Sequence, residues 1–405
     1  MAINKEQNKL NVPPLRFPEF HGEWEEHGLS EYLDFKNGLN PDSKRFGKGI
    51  KFISVMDILN NPVITYDCIR ASVQATDAEM SSFSVEYGDI LFQRSSETLE
   101  DVGRANVYID DKVAVFGGFV IRGKKKANYN PLFFRYLLSS PYARKRIIPM
   151  GAGAQHFNIG QEGLSKVLLN FPSIEEQTKI ASLLHLLDER IATQSKLIED
   201  LKKLKSAIID YAINSLDTDF AKFSSLYEMA GEGGTPTTSN ASFYDNGKIP
   251  FVKIDDLKKK YLTENKDFIT ELGLQKSSAW LVPTRSILFS NGATIGEITI
   301  TTYPVCTKQG ILGIVPKPNI DVEFLYYFMS SSYFRKAVSR IVTEGTMKTA
   351  YLKDINNIRC PIPKKEKQLD IAKMPSALNF KIDFEQSILK LFGSQKQYLL
   401  RQMFM

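Results

Sequence analysis

Apolar residues recur at Ile180, Leu184, Leu187, Ile191, Ile198, Leu201, Ile208 and Ala212, in steps of three, four and seven. That spacing lines one stripe of an α-helix and is the seam of a coiled coil. Pro172-Ser173-Ile174-Glu175-Glu176 opens the stretch, with Ser173 as N-cap and Glu176 three positions on, a capping box. No proline or glycine interrupts 173–214. The pattern therefore predicts a helix of roughly forty residues and about 60 Å. Leu183, Leu186, Leu197, Leu204 and Ile209 widen the stripe, so this helix needs more than one partner. A second stretch, about 364–404, carries Ile371, Leu378, Ile382, Leu389, Phe392, Leu399 and Met403 at similar steps. Pro375 lies inside it and removes a helical hydrogen bond, so the main second helix is expected to begin after Pro375. Segment 364–404 has eight bases and four acids, and 175–214 has six bases and seven acids. The two helices suit each other in apolar pattern and in charge.

The segments ahead of each helix read as mixed α/β (α+β). Ser84–Gln93 and Asn106–Arg122 are rich in Val, Ile, Phe and Tyr and predict strands, followed by a helix over Asn130–Ile148 that starts at Pro131. Later come strands at Ser286–Ser290, Glu297–Tyr303 and Gly310–Val315, then a helix near Val322–Ile341. This recurrence is a repeat in the sequence itself. Arg135-Tyr-Leu-Leu-Ser-Ser-Pro-Tyr-Ala-Arg-Lys145 aligns with Tyr326-Tyr-Phe-Met-Ser-Ser-Ser-Tyr-Phe-Arg-Lys336 at an offset of 191 (326 − 135). The same offset aligns Gln177 with Gln368, and Ile180-Ala181 with Ile371-Ala372, with no gap from about 131 to 214. Upstream, 51–58 resembles 250–257, and 88–92 resembles 285–289. The chain is two related halves, each a globular module followed by a long helix.

Composition narrows the class. The chain has 405 residues, 43% apolar and 24% charged, enough for large cores without covalent staples. Cys68, Cys306 and Cys360 are odd in number and far apart, which argues against a disulfide framework. His21, His27, His156 and His185 do not cluster at metal-ligand spacing. The polar opening Met1–Leu10 and the lack of any long apolar run predict a cytoplasmic protein without a signal peptide or membrane span.

Net charge is +6, but its distribution says more. Between Lys112 and Gln161 there are nine bases and no acid, where about six acids would be expected from the average of this chain. That tract predicts contact with a polyanion. Phe116, Phe119, Tyr129, Phe133, Phe134, Tyr136 and Tyr142 interleave it and read mostly as core. Catalytic signatures are missing. Val12-Pro13-Pro14-Leu15 lacks the groups that hold a flipped adenine, and no G-x-x-x-x-G-K-[ST] phosphate loop occurs. Asp110-Asp111-Lys112 reads as a hairpin turn.

Base reading needs donors and acceptors on loops that reach the major groove. In the first half the candidates are Gln93, Arg94, Ser95, Ser96, Thr98, Arg104, Arg122, Lys124, Lys125, Lys126, Gln155 and His156. In the second half they are Lys253, Ser290, Asn291, Thr294, Lys308, Gln309, Lys348, Thr349 and Tyr351. A coiled-coil protein-assembly scaffold that does not read DNA is the alternative, and a self-contained DNA-modifying enzyme is a third reading.

Three motifs carry a family likeness: Pro14-Leu15-Arg16-Phe17-Pro18-Glu19-Phe20-x-Gly22-x-Trp24, Phe171-Pro172-Ser173-Ile174-Glu175-Glu176-Gln177-x-Lys179-Ile180-Ala181, and the pair Arg94–Thr98 and Asn291–Gly296. With them the chain resembles the specificity subunit of Type I restriction–modification systems over nearly its whole length. The resemblance implies two homologous target recognition domains (1–172 and 216–363), separated by two long antiparallel coiled-coil helices (173–215 and 364–405) with pseudo-twofold symmetry. It implies a non-catalytic subunit that recognises a bipartite double-stranded DNA site. Its partners would be two methyltransferase subunits, with or without two restriction (motor-nuclease) subunits. S-adenosylmethionine for adenine-N6 methylation, and ATP and magnesium for a motor, would be bound by those partners. The second junction, Pro363-Lys364-Lys365-Glu366-Lys367-Gln368, is more basic than the family pattern.

Overall fold

The computed structural model describes residues 11–342 and 348–405, so the polar opening segment lies outside the described residues. The chain divides into two compact units. One runs to Ser195 and takes in Ile388–Met405, and the other is Lys196–Ser387. Both divisions fall inside long helices, Ile174–Asn214 and Lys365–Gln402.

In the first unit an antiparallel sheet runs Leu33–Asn37, Val120–Lys125, Ile90–Gln93, Ala105–Val107. A second sheet holds Phe46–Ile53 parallel to Ala114–Phe116, with Phe52 opposite Val115 and Ile53 opposite Phe116. The second unit repeats both. Ile311–Pro316 lies between Tyr227–Glu232 and Ile287–Ser290. Phe251 pairs with Cys306 and Val252 with Thr307, again in parallel. Two segments expected as single strands are broken. Ser84–Val85 and Ile90–Gln93 belong to different sheets, because the chain turns at Gly88 with φ +93°. Asn106–Arg122 becomes three strands, and Asp110 makes the first turn by accepting from the backbone N–H groups of Lys112 and Tyr66.

Each expected module helix is two helices, Pro131–Ser139 with Pro141–Ile147 and Val322–Ser330 with Ser332–Ile341. Pro141 has no counterpart at Ser332, so proline is not the common cause. The shared feature is the serine N-cap: Ser140 accepts from Ala143 and Ser331 from Phe334, each at 3.2 Å.

The long helices root each module. In the first unit Asp188 faces Lys396 and Arg190 faces Phe392, so the helices run antiparallel. Ile180, Ala181 and Leu184 join Leu399, Leu400, Met403 and Phe404 in one core with Trp24 and Phe133. Trp24 meets the Phe133 and Phe404 rings edge-on at 6.2 and 6.4 Å. In the second unit Lys205 donates to Asn379, and Ile209 and Ile213 share a core with Ile371 and Ala372, which is also antiparallel. Ile198, Ile382 and Leu399 are buried, Leu187, Ile191, Leu201, Ile208, Leu378, Leu389 and Phe392 are half-buried, and Ile209 and Ile213 sit deeper than Ile208.

Two expectations about these helices change. The Glu176 carboxylate does not fold back to the cap; it is buried and takes Arg16 at 2.7 and 2.8 Å, while Ser173 still accepts from the Glu176 backbone. The second helix is continuous through Pro375. It starts at Lys365 because both flanks of the proline are held. Gln368 donates to Pro363 and Asn319, and Ser376 bonds Glu323 and Tyr327. Those contacts offset the lost helical bond.

Candidate nucleic-acid interface: the loop clefts

The loops at one end of each module converge on a cleft. In the second unit the cleft holds about 610 Å³ and is lined by Lys253, Thr294, Lys308, Gln309, Thr349 and Tyr351, with Glu232 and Asp255. Six separate readings from the sequence thus meet in one place. The loops are locked by backbone bonds: Asn291 N–H to Gly310, Ala350 N–H to Asn291 and Lys308 N–H to Val252. Thr235 accepts from Gln309 N–H, and Glu232 from Gly310 N–H. Lys253 is held at 2.8 Å from Asp267, while Lys308, Gln309 and Lys348 are exposed. Ser290 and Asn291 are buried and shape the loop. Ser290 donates to Thr294 and accepts from Glu297 N–H, and Asn291 donates to Ala350. Their burial replaces the expectation that they touch bases.

The same register builds the cleft of the first unit. Arg94 N–H bonds Phe119 as Asn291 bonds Gly310, and Ile159 N–H bonds Arg94 as Ala350 bonds Asn291. Ser95 and Ser96 pair with Asn158 and Phe157, which brings exposed Gln155 and His156 close to the Arg94–Thr98 loop. Arg94 donates to Gly118 at 3.3 Å, Thr98 is exposed, and Arg104 pairs with Asp101 at 2.6 Å. Gln93 and Arg122 are corrections: both are buried, Gln93 donating to Ser95 and Arg122 to Ser84.

The acid-free tract does not form one basic face. Lys124, Lys125 and Lys126 lie at the far end of strand Val120–Lys125 from the cleft, about 16 Å along it. Lys124 pairs with Glu86, and Lys125 donates to Tyr129, where burial lowers its pKa. Arg135 pairs with Asp188, and Arg144 donates to Glu100 and Val102. Most of these bases hold the module together. Six of the seven interleaved aromatics are buried as expected, but Phe119 is 69% exposed beside Gly117 and Gly118. The cleft side chains Phe46 and Met56 and the lysines Lys44 and Lys48 were also missed. Their sequence signal was the run 43–56, which has four bases and no acid.

Among the described residues no helix is long and apolar enough to cross a membrane, and no group of three His, Cys, Asp or Glu could hold a metal.

Known proteins share this architecture. The chain is 23% identical over 409 residues to a protein of Methanocaldococcus jannaschii described as a putative Type I restriction enzyme MjaX specificity subunit, covering 95% of this chain and 93% of that one. It is 22% identical to the Type I restriction enzyme HindI specificity subunit of Haemophilus influenzae, covering 80% and 86%. The crystal structure of a Type I restriction-modification S subunit from M. genitalium matches with TM-score 0.58 and 16% identity, over 97% of this chain and 99% of that one. Residues 21–203 and 218–391 each match the family model for the Type I restriction modification DNA specificity domain. With two modules of one fold covering most of its length, this chain belongs to the Type I restriction modification DNA specificity family, whose role is DNA recognition.

Proposed function

We propose that each cleft reads one half of a bipartite duplex DNA site, and that the two long helices set the gap between the halves. The observation that carries this is the same loop cleft built twice from one register, each on a module rooted in the same pair of helices. The residues that contact DNA are then Ser95, which lines the first cleft, with Arg94, Ser96, Thr98, Gln155 and His156 on the loops that adjoin it. In the other they are Lys253, Thr294, Lys308, Gln309, Lys348, Thr349 and Tyr351. The chain performs no chemistry itself in this reading. Methyltransferase subunits, two in number, bring S-adenosylmethionine and methylate adenine N6, and restriction subunits add ATP and magnesium where they join. The work is done in the cytoplasm.

The helices also offer a docking face. Leu186, Leu197, Leu204 and Tyr211 are exposed on the first, and Phe380, Phe384, Leu391 and Tyr398 on the second. Their steps of eleven, seven and seven, and of four, seven and seven, keep each set on one helical face. Exposed apolar residues in such rows mark a protein partner.

Single-molecule methylome sequencing of a host carrying this chain with its methyltransferase tests the reading. A new split adenine motif is expected, and its absence overturns the proposal. Inserting one heptad into both helices should lengthen the gap by roughly three base pairs, since seven residues rise about 10 Å. A fixed gap would refute the ruler.

A further inference from the structure

The two clefts occupy equivalent places but have opposite linings. Where the second unit has Lys253 and Asp255, the first has Ser54 and Met56, as the paired parallel strands require. Where the second has Gln309, the first has Gly118, and Phe119 follows it. The first cleft holds about 490 Å³ and is walled by Leu39, Phe46, Phe52, Val55, Met56 and Phe119. Met56 is 60% exposed and Phe46 43%. Side chains of this size standing together in solvent mark a binding surface. Their frame is basic. Lys44 and Lys48 are exposed on the segment that carries Phe46, and Arg94 precedes the lining residue Ser95 and donates to the lining Gly118, so these three cations outnumber Asp42, which is exposed beside the lining Pro41. An apolar floor in a cationic rim is complementary to a polyanion that carries apolar groups. In duplex DNA the apolar group on a base edge is the thymine 5-methyl, exposed in the major groove.

We infer that the first unit selects thymine by seating its 5-methyl group in this cleft, with Phe119 and Met56 as the residues that set the preference. Asn40, Ser54 and Ser95 stand at the rim and meet the polar edge of the same or the next base pair. The second unit reads polar edges alone, through Lys308 and Gln309. This rests on the DNA-reading function proposed above and names what one cleft reads.

The test uses the chain assembled with its methyltransferase and the duplex its methylome defines. Each thymine is replaced singly by deoxyuridine, which removes only the methyl group. At least one replacement should weaken binding about fourfold, the worth of one buried methyl-sized group. Met56→Ser or Phe119→Ala should abolish that sensitivity, whereas Gln309→Ala should leave it intact. Both altered side chains are mostly in solvent, so the variants keep the fold, and circular dichroism checks it. If the native duplex binds normally and every deoxyuridine duplex binds equally well, the inference falls while the DNA-reading function stands. A sensitivity that survives in Met56→Ser and Phe119→Ala also overturns it. Capture of a protein by the cleft with no effect of either variant on DNA would do the same. Failure of the native duplex to bind counts against both.

Discussion

Gln177 and Gln368 do the same work 191 residues apart, whereas Asp188 and Asn379, also 191 apart, do not. Each glutamine is buried, donates to the proline carbonyl before its helix (3.0 and 2.8 Å), and accepts the N–H that opens the module helix, from Asn130 at 3.1 Å and Asp321 at 2.7 Å. Asp188 carries a charge that Arg135, Lys396 and Tyr136 surround. Asn379 is neutral and receives Lys205. In the second unit the buried charge has moved to Glu323, which Lys260, Tyr261 and Ser376 contact. Contacts that satisfy backbone groups are kept, because a buried orphan N–H has no substitute. Charge networks need only balance, so each unit balances its own.

The largest effect should come from the second unit's network. Glu323→Ala leaves Lys260, with its side chain 2% exposed, buried without a counter-ion. The loss should be on the order of 3 kcal/mol. Asp188→Ala should cost less, about 2 kcal/mol, because the cations it leaves, Arg135 and Lys396, are 15% and 22% exposed and reach water. Denaturant unfolding followed through Trp280 and Trp24, one in each unit, measures both. The reverse order would break the contrast drawn between the units. Next come Gln177→Ala and Gln368→Ala, each expected at about 1–2 kcal/mol and equal within error. A clear inequality would show that the shared bonds are not equivalent.

Acid acts on both networks, because Glu323 as well as Asp188 is held low against the effect of burial. Burial opposes ionisation of Asp188, but Lys396, Tyr136 and Arg135 outweigh it and hold the carboxyl below its ordinary 3.8. A depressed carboxylate pKa stabilises the fold above the unfolded value, and that stability is lost as the pH falls through the folded one. The first unit should therefore weaken as pH drops below 3.8, and Asp188→Asn should flatten that dependence when thermal unfolding is followed against pH. The smallest effect concerns salt. Lys44→Ala with Lys48→Ala should reduce the salt slope of DNA binding by up to about two, one for each lost phosphate contact. Alanine at Lys124, Lys125 and Lys126 should change the slope less, since two of the three are held within the module. Equal slopes would return the basic tract to the interface.

The sequence exposed whatever depended on period or repetition. The helix seam, the offset of 191 and the loops carrying Lys308 and Gln309 were legible because local spacing encodes them. Arg122 and Asn291 were misread because a polar residue within a strand or just past its end faces either solvent or core, and only the neighbouring strand decides. Phe119 was misread for the opposite reason. An aromatic among buried aromatics looked like core, yet the turn at Gly117–Gly118 swings it outward. Pro375 shows tertiary anchoring overriding a local rule, since Gln368 and Ser376 hold the backbone on both sides of it.

The first unit is discontinuous: Leu399, Met403 and Phe404 close over Trp24 and Phe133. The ribosome makes those residues only after all of Lys196–Ser387. The second unit is complete in the nascent chain while the first still displays an unsealed apolar face, so the part synthesised first is the part that matures last. Any translational stop before Ile388 leaves that face open and hands the product to chaperones or proteases.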